Sequence, residues 1–329
     1  MKKIPIFNTY NHMELTPEII DRLEKLQKKY DAMGQDMVSY LDGLLHADFL
    51  TYWDYIHLDT LLSLQNPRTP FPDEKIFIMY HQITELYLRL IIHECEQIAQ
   101  HPALTTTFFL SRIKRVNRYF ETLIDSFDVM VDGMDKEQFL SFRMSLLPAS
   151  GFQSGQYRMI EIYASDFLTL VPVEKREALK DASIEEIYEQ LYWKQGATEL
   201  SSGKKTLTLK QFEAKYSDQF IKLAKACKEN NFWKCYERLK AQGENVEALE
   251  AELRNFDTHV NVNWKLMHYR SAVRYMQKDP EDIKATGGTN WQKYLPPRFQ
   301  RLIFYPELWM PEELDNWGKG WVENNVFGS

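Results

Sequence analysis

Glycine and proline are scarce in this 329-residue chain, 13 of each, too few for the many tight turns of an all-β fold. No run alternates apolar and polar residues in the manner of a half-buried strand, and no internal repeat or low-complexity segment is visible. Long hydrophobic stretches are missing as well. Charges interrupt each apolar run before the roughly 18 residues that a membrane span requires. The opening MKKIPIFNTYNH has two lysines but no continuous apolar core, so no signal peptide is expected. Cys95, Cys227 and Cys235 are an odd count with no CxxC pair, expected as reduced structural thiols in a reducing compartment. There is no long basic run, and the formal net charge of −7 argues against a nucleic-acid partner. These absences predict a soluble, cytoplasmic protein that binds neither membrane nor nucleic acid.

What is present favours helix. With 44% apolar and 14% aromatic residues, the chain can bury a substantial core. Thr16-Pro17-Glu18 is a helix start, with an N-cap, proline at the first helical position and acid in the first turn. Further helices are predicted over about 107–130, 135–147, 210–229 and 232–256, and from 257 to 276. Residues 38–50 read as a short helix or a turn-rich passage. The expected fold is all-α. It is a single large helical domain over 1–329, with 1–50 as an N-terminal extension and 205–257 as a charged helical hairpin used in oligomer contacts.

The chain is organised around Glu74–Gln100, a stretch with neither glycine nor proline. Apolar residues sit on every face of its first five turns, which predicts a helix buried on most sides. Phe77, His81 and Glu85 stand at i−4, i and i+4 and share one face. A buried imidazole needs a partner, since leaving it unpaired costs roughly 1–3 kcal/mol. A neighbouring carbonyl or a ligand would serve, and the stretch alone does not choose.

Other segments are equally two-sided. Tyr52, Trp53 and Tyr55 lie in an aromatic-dense run that on its own reads as packing. Arg112, Lys114, Arg115 and Arg118 form a local basic patch, either a solvated face or a seat for the carboxylates of a small ligand. Arg143 is flanked by Phe139, Phe142, Met144 and Leu146, so burial is expected and an anion is required. It precedes a loop of small and polar residues, Leu147 to Gln156, of the kind that lies close to ligands.

His81 and His268 are histidines in apolar helical contexts, a setting used for haem ligation. A carboxylate-bridged di-iron bundle needs paired Glu-x-x-His motifs, and none is present. His93-Glu94 lacks the second histidine of HExxH. A two-histidine, one-carboxylate iron site from His81, Glu85 and His268 stays open. Thr286-Gly-Gly matches neither a dinucleotide fingerprint nor a P-loop.

Taken in order, Tyr52-x-x-Tyr55, Phe77-x-x-x-His81-Gln-x-x-Glu-Leu86, Arg143-x6-Ser150-Gly-Phe-Gln-Ser154, Trp264-x-x-x-His268 and Thr286-Gly-Gly resemble the tryptophan 2,3-dioxygenase family over roughly residues 50–310. The resemblance implies a haem b enzyme that inserts both atoms of O2 across the indole C2–C3 bond of L-tryptophan, giving N-formylkynurenine in the kynurenine pathway. By it, His268 is the axial ligand of the haem iron, with Trp264 beside it. His81 takes the indole N–H, and Arg143 holds the substrate carboxylate. Ser150 lies near haem and substrate, Thr286 contacts the amino-acid group, and Phe77 and Phe139 wall the indole. Arg115 and Arg118 are the expected neighbours of the haem propionates. Tyr52 and Tyr55 complete the site of a neighbouring subunit in a homotetramer. The chain departs from the family pattern at Tyr87-Leu88-Arg89, where Trp-Phe-Lys is usual, and at Thr289, where serine is usual. Two readings stand beside this one: an oxygenase adding one oxygen atom to a modified indole, and a helical haem-binding protein without catalysis.

Overall fold

A computed structural model describes residues 15–48, 50–146, 153–197, 204–276 and 301–318. Among them there are helices and connecting turns but no β-strand, and no helix is long and apolar enough to cross a membrane. The chain divides into two compact units, 1–64 and 65–329.

The first unit contains helices α1 (Pro17–Ala32), α2 (Met37–Leu45), α3 (Tyr52–Tyr55) and α4 (Leu58–Leu62). Thr16 caps α1 by accepting from the Ile19 N–H, with Pro17 at the first helical position, as the sequence pattern requires. Rings of Tyr30 and Tyr40 hold α1 against α2, their centroids 4.4 Å apart. His57 adopts a left-handed backbone conformation, φ 50°, and so breaks the chain between α3 and α4. None of these four helices buries a residue fully. Tyr52, Trp53 and Tyr55 are 70%, 56% and 74% exposed, so packing within this unit does not account for them.

The second unit is built on α5 (Asp73–Ala99), followed by α6 (Thr106–Ser126), α7 (Asp128–Val131) and α8 (Lys136–Phe142). A 3₁₀ turn, Arg143–Leu146, ends α8. Helix α9 (Gly155–Ala164) begins where the small-residue loop ends, capped by Ser154. Three short helices come next, α10 (Val173–Arg176), α11 (Ile184–Glu189) and α12 (Tyr192–Gly196). Then come α13 (Leu207–Cys227), α14 (Phe232–Ala241), α15 (Glu247–Thr258), a π-helical turn (His259–Asn263), α16 (Trp264–Met276) and α17 (Pro311–Asp315). Helix α5 lies against α6, α8 and α9, and α6 lies against α15. Their inward faces, among them Leu88, Ile91, Ile92, Phe109, Phe120, Ile160 and Phe256, form the main core.

Helix α5 begins without a side-chain cap. Asp73 accepts from the Asp135 N–H at 2.6 Å, fastening the start of α8. The loop before α5 is tied down by Glu74, 1% exposed, which accepts from the N–H groups of Arg68 and Thr69. The prediction that α5 is buried on most sides fails for one face: Met79, Ile83, Leu86 and Leu90 are 37–53% exposed. Apolar composition marks a surface that avoids water and does not say whether the same chain covers it. The stretch predicted as a hairpin over 205–257 is three helices. Gly243, at φ 78°, ends α14 because a left-handed residue cannot continue it.

Candidate functional site

Phe77 and His81 lie one turn apart on α5, and their rings meet at a centroid distance of 4.1 Å. Nδ1 of His81 lies 2.8 Å from the carbonyl oxygen of Phe77. A carbonyl can only accept, so Nδ1 carries the proton and Nε2 keeps its lone pair. On α16, Nδ1 of His268 lies 3.0 Å from the Trp264 carbonyl, and the same reasoning leaves Nε2 of His268 unprotonated, with its lone pair. Burial lowers the proton affinity of both rings. His268 is pushed down to about 4, with the proximity of His81 adding to the effect. Both imidazoles are therefore neutral at pH 7 and have the same tautomer. Each residue is half-buried.

An aromatic chain joins them. Tyr80 stands edge-on to His81 at 6.2 Å and to Phe127 at 5.8 Å. Phe127, at the junction of α6 and α7, contacts His268 at 4.6 Å and Trp264 at 5.1 Å. The Tyr80 hydroxyl shares a hydrogen bond with Ser126, which fixes it beside Phe127. On the other side of Phe77 stand Phe139 at 6.3 Å and Phe142 at 5.9 Å. Tyr275 of α16 packs on Phe139 at 4.6 Å, and its hydroxyl donates to the carbonyls of Val131 and Met134. Such ring pairs are each worth about 0.5–1.5 kcal/mol beyond the area they bury. Together they tie α5, α8 and α16 to one another.

Arg143 follows Phe142 directly and is 9% exposed, a buried guanidinium at the edge of these rings. Desolvation lowers its proton affinity without threatening a charge whose ordinary value is so high. Glu85, one turn after His81, accepts from the Gln156 amide at 2.8 Å and ties α5 to α9, a supporting role.

His81, His268, Trp264, Phe77, Phe139 and Arg143 thus belong to one region of the second unit. Ser150 and Thr286 lie outside the described residues. The two arginines expected near propionates have other partners. Arg115 lies 3.4 Å from Glu94 and Arg118 3.4 Å from Glu121. Glu94 is buried and stands thirteen residues beyond His81 on the same helix, ~20 Å along its axis at 1.5 Å per residue. The departure at Tyr87-Leu88-Arg89 puts Leu88 in the core and Arg89 on the surface, 3.5 Å from Glu96. Sequence inspection missed Tyr80, Phe127, Phe142 and Tyr275 as site residues. Only Phe142 carried a signal, as the apolar neighbour of Arg143.

The donor set fits a haem better than a bare ion. Among the described residues no group of three His, Cys, Asp or Glu side chains is placed to hold a metal. A lone neutral imidazole with a free Nε2, oriented through Nδ1 by a carbonyl, suits a metal whose other ligands come with it.

A family model described as "Tryptophan 2,3-dioxygenase" matches residues 44–278. A tryptophan 2,3-dioxygenase of Bacillus thuringiensis subsp. konkukian (strain 97-27) is 30% identical over 283 residues, covering 80% of this chain and 94% of the relative. One from Polaromonas naphthalenivorans (strain CJ2) is 27% identical over 289 residues, covering 79% and 90%. A third, from Ruegeria sp. (strain TM1040), is 42% identical over 118 residues, 35% of this chain and 41% of that relative.

Proposed function

Since the chain belongs to the tryptophan 2,3-dioxygenase family, we propose that it is a haem-dependent dioxygenase that converts L-tryptophan and O2 to N-formylkynurenine in the cytoplasm. The observation that carries this reading is the pair of neutral imidazoles, each with Nδ1 tied to the carbonyl one turn earlier and Nε2 free.

Nε2 of His268 would hold the iron, with the Trp264 carbonyl fixing the ring's tautomer and plane. Bound ferrous haem supplies the site that binds and activates O2. Nε2 of His81 accepts the indole N–H, which orients the C2–C3 bond and needs the neutral ring that burial enforces. Phe77, Phe139 and Phe142 wall the indole and exclude water. Arg143 offers the substrate carboxylate two parallel N–H bonds, a geometry lysine cannot copy. Ser150 and Thr286 keep the roles near haem and amino-acid group that the resemblance gives them. Tyr52 and Tyr55, exposed in this chain, complete the pocket of a neighbouring copy in a homotetramer.

The test is anaerobic loading with haem, then addition of tryptophan and O2 while following product absorbance and mass. A gain of two oxygen atoms is expected. Full loading with no ring-opened product, or a gain of one atom, overturns the assignment. His268→Ala should remove the Soret band while leaving the helical circular dichroism in place.

A further inference from the structure

A fully buried carboxylate near α16 stands apart from the ring cluster around the two histidines. Asp257, 0% exposed at the end of α15, spends its carboxylate on four donors. Asn261 Nδ2 reaches Oδ1 at 2.8 Å. The Phe304 N–H meets both oxygens, at 3.1 and 3.0 Å. The Tyr305 N–H and the Trp309 indole N–H meet Oδ2 at 3.2 and 3.3 Å. One side chain therefore joins the end of α15, the π-helical turn and the segment that returns after residue 300.

The turn is held from its other sides too. The Trp264 N–H bonds to the His259 carbonyl, five residues back, the mark of an inserted residue in a helix. Tyr157 of α9 donates its hydroxyl to the Val260 carbonyl at 2.9 Å. Lys265 Nζ lies 3.3 Å from Asn261 Oδ1, so its charge reaches Asp257 through the asparagine amide. The returning segment closes the fourth side with a small apolar cluster in which Val262 and Leu266 meet Ile303 and Trp317. Helix α16, with His268 on it, starts where this turn ends.

Each residue of an α-helix turns the chain by about 100°. The extra residue of the π-turn therefore decides which face of α16 looks toward Phe127 and His81. Without a clamp, the turn could relax to regular helix and rotate His268 off the site.

We propose that Asp257 is a positioning residue for the iron ligand: by holding the π-turn between Asn261 and the Phe304–Trp309 segment, it sets the rotation of α16 and so the aim of His268. Asp257 touches neither substrate nor haem. This rests on the assignment of His268 as the haem ligand, and the experiment separates the two.

Asp257→Asn preserves shape but presents an amide where two backbone N–H groups require acceptors. The variant and the wild-type chain, both loaded with haem, are compared in the iron–histidine stretching band of the ferrous form and in the rate of haem transfer to apomyoglobin. Hydrogen exchange at residues 259–268 is measured on both haem-free chains. A displaced band, at least tenfold faster haem loss and faster exchange at 259–268 are expected, with the tryptophan KM within twofold of wild type. A native band and native haem loss in Asp257→Asn overturn the proposal. Tyr157→Phe removes one hydroxyl from the same turn and substitutes for Asp257→Asn if that variant does not fold. It should displace the band in the same direction, and a native band there counts against the proposal equally. A wild-type chain that takes up no haem refutes the ligand assignment, and the exchange comparison still decides whether Asp257 holds the turn.

Discussion

Phe127 and His268 meet edge to face, their ring centroids 4.6 Å apart. The phenyl ring is 4% exposed, and it also contacts Trp264 and Tyr80, so it is the wedge that spaces α16 from α5. Phe127→Ala should lower stability by roughly 3–5 kcal/mol, as expected for truncating a buried aromatic residue. Chemical denaturation of the haem-free chain measures this. In the haem-loaded chain the Soret band should shift as well, because the wall beside His268 has gone.

His81 is assigned one neutral hydrogen bond, from the indole N–H to Nε2. Its loss should cost roughly 0.5–1.5 kcal/mol, or about two- to tenfold in kcat/KM. Wild type and His81→Ala are to be compared on tryptophan and on 1-methyltryptophan, which has no indole N–H. The variant should lose its preference for tryptophan. An unchanged preference removes His81 from substrate recognition.

Arg143→Ala takes away charge-assisted hydrogen bonds to the carboxylate, worth roughly 1.5–3 kcal/mol each. For a net loss equal to one such bond the tryptophan KM should rise roughly 10- to 100-fold, with haem content unchanged. Tryptamine, which lacks the carboxylate, should distinguish poorly between wild type and variant. If haem is lost instead, Arg143 is a structural cation.

Acid should loosen the haem-free chain through its histidines. His268 falls from an ordinary 6.5 to about 4 on folding, and His81 shifts in the same direction. The folded chain then binds their protons more weakly than the unfolded chain does. The stability they contribute is fully present above about pH 6.5 and is lost as pH falls toward 4. Asp257 is raised from 3.8 to about 6 by burial, so its own contribution runs the other way, favouring the fold at the acid end of that range. Urea midpoints between about pH 7 and 4.5 should therefore fall less in His268→Gln than in wild type. Equal slopes for the two chains would mean that folding leaves the proton affinity of the imidazole unchanged.

How much of this could be seen in the sequence differs by residue. His81, Arg143 and His268 stood out because each is a polar group in an apolar helical setting, a local contradiction that marks a candidate site. Phe127, Tyr80 and Tyr275 are ordinary aromatics in ordinary helices, and only tertiary packing brings them to the histidines from distant parts of the chain. The carboxylate partner of Arg115, Glu94, could not be read from the sequence because it is 21 positions away on another helix. The exposed face of α5 misled, since periodicity measures apolar character and not coverage. The π-turn left no trace: His259–Asn263 has the composition of any short helical stretch, and its shape depends on Tyr157 and on a segment beginning some forty residues later.

That turn also governs which changes of length the chain can tolerate. Added or deleted residues in the connection around Gly243 would fall in an open bend, where nothing lies close to the glycine. Ten residues lie between Asp257 and His268, and both ends are anchored, one by backbone donors and the other by the pocket. Gaining or losing a single residue there would leave every side chain chemically intact and still disconnect the two anchors. In relatives of this protein, that interval should therefore hold its length even where its letters drift.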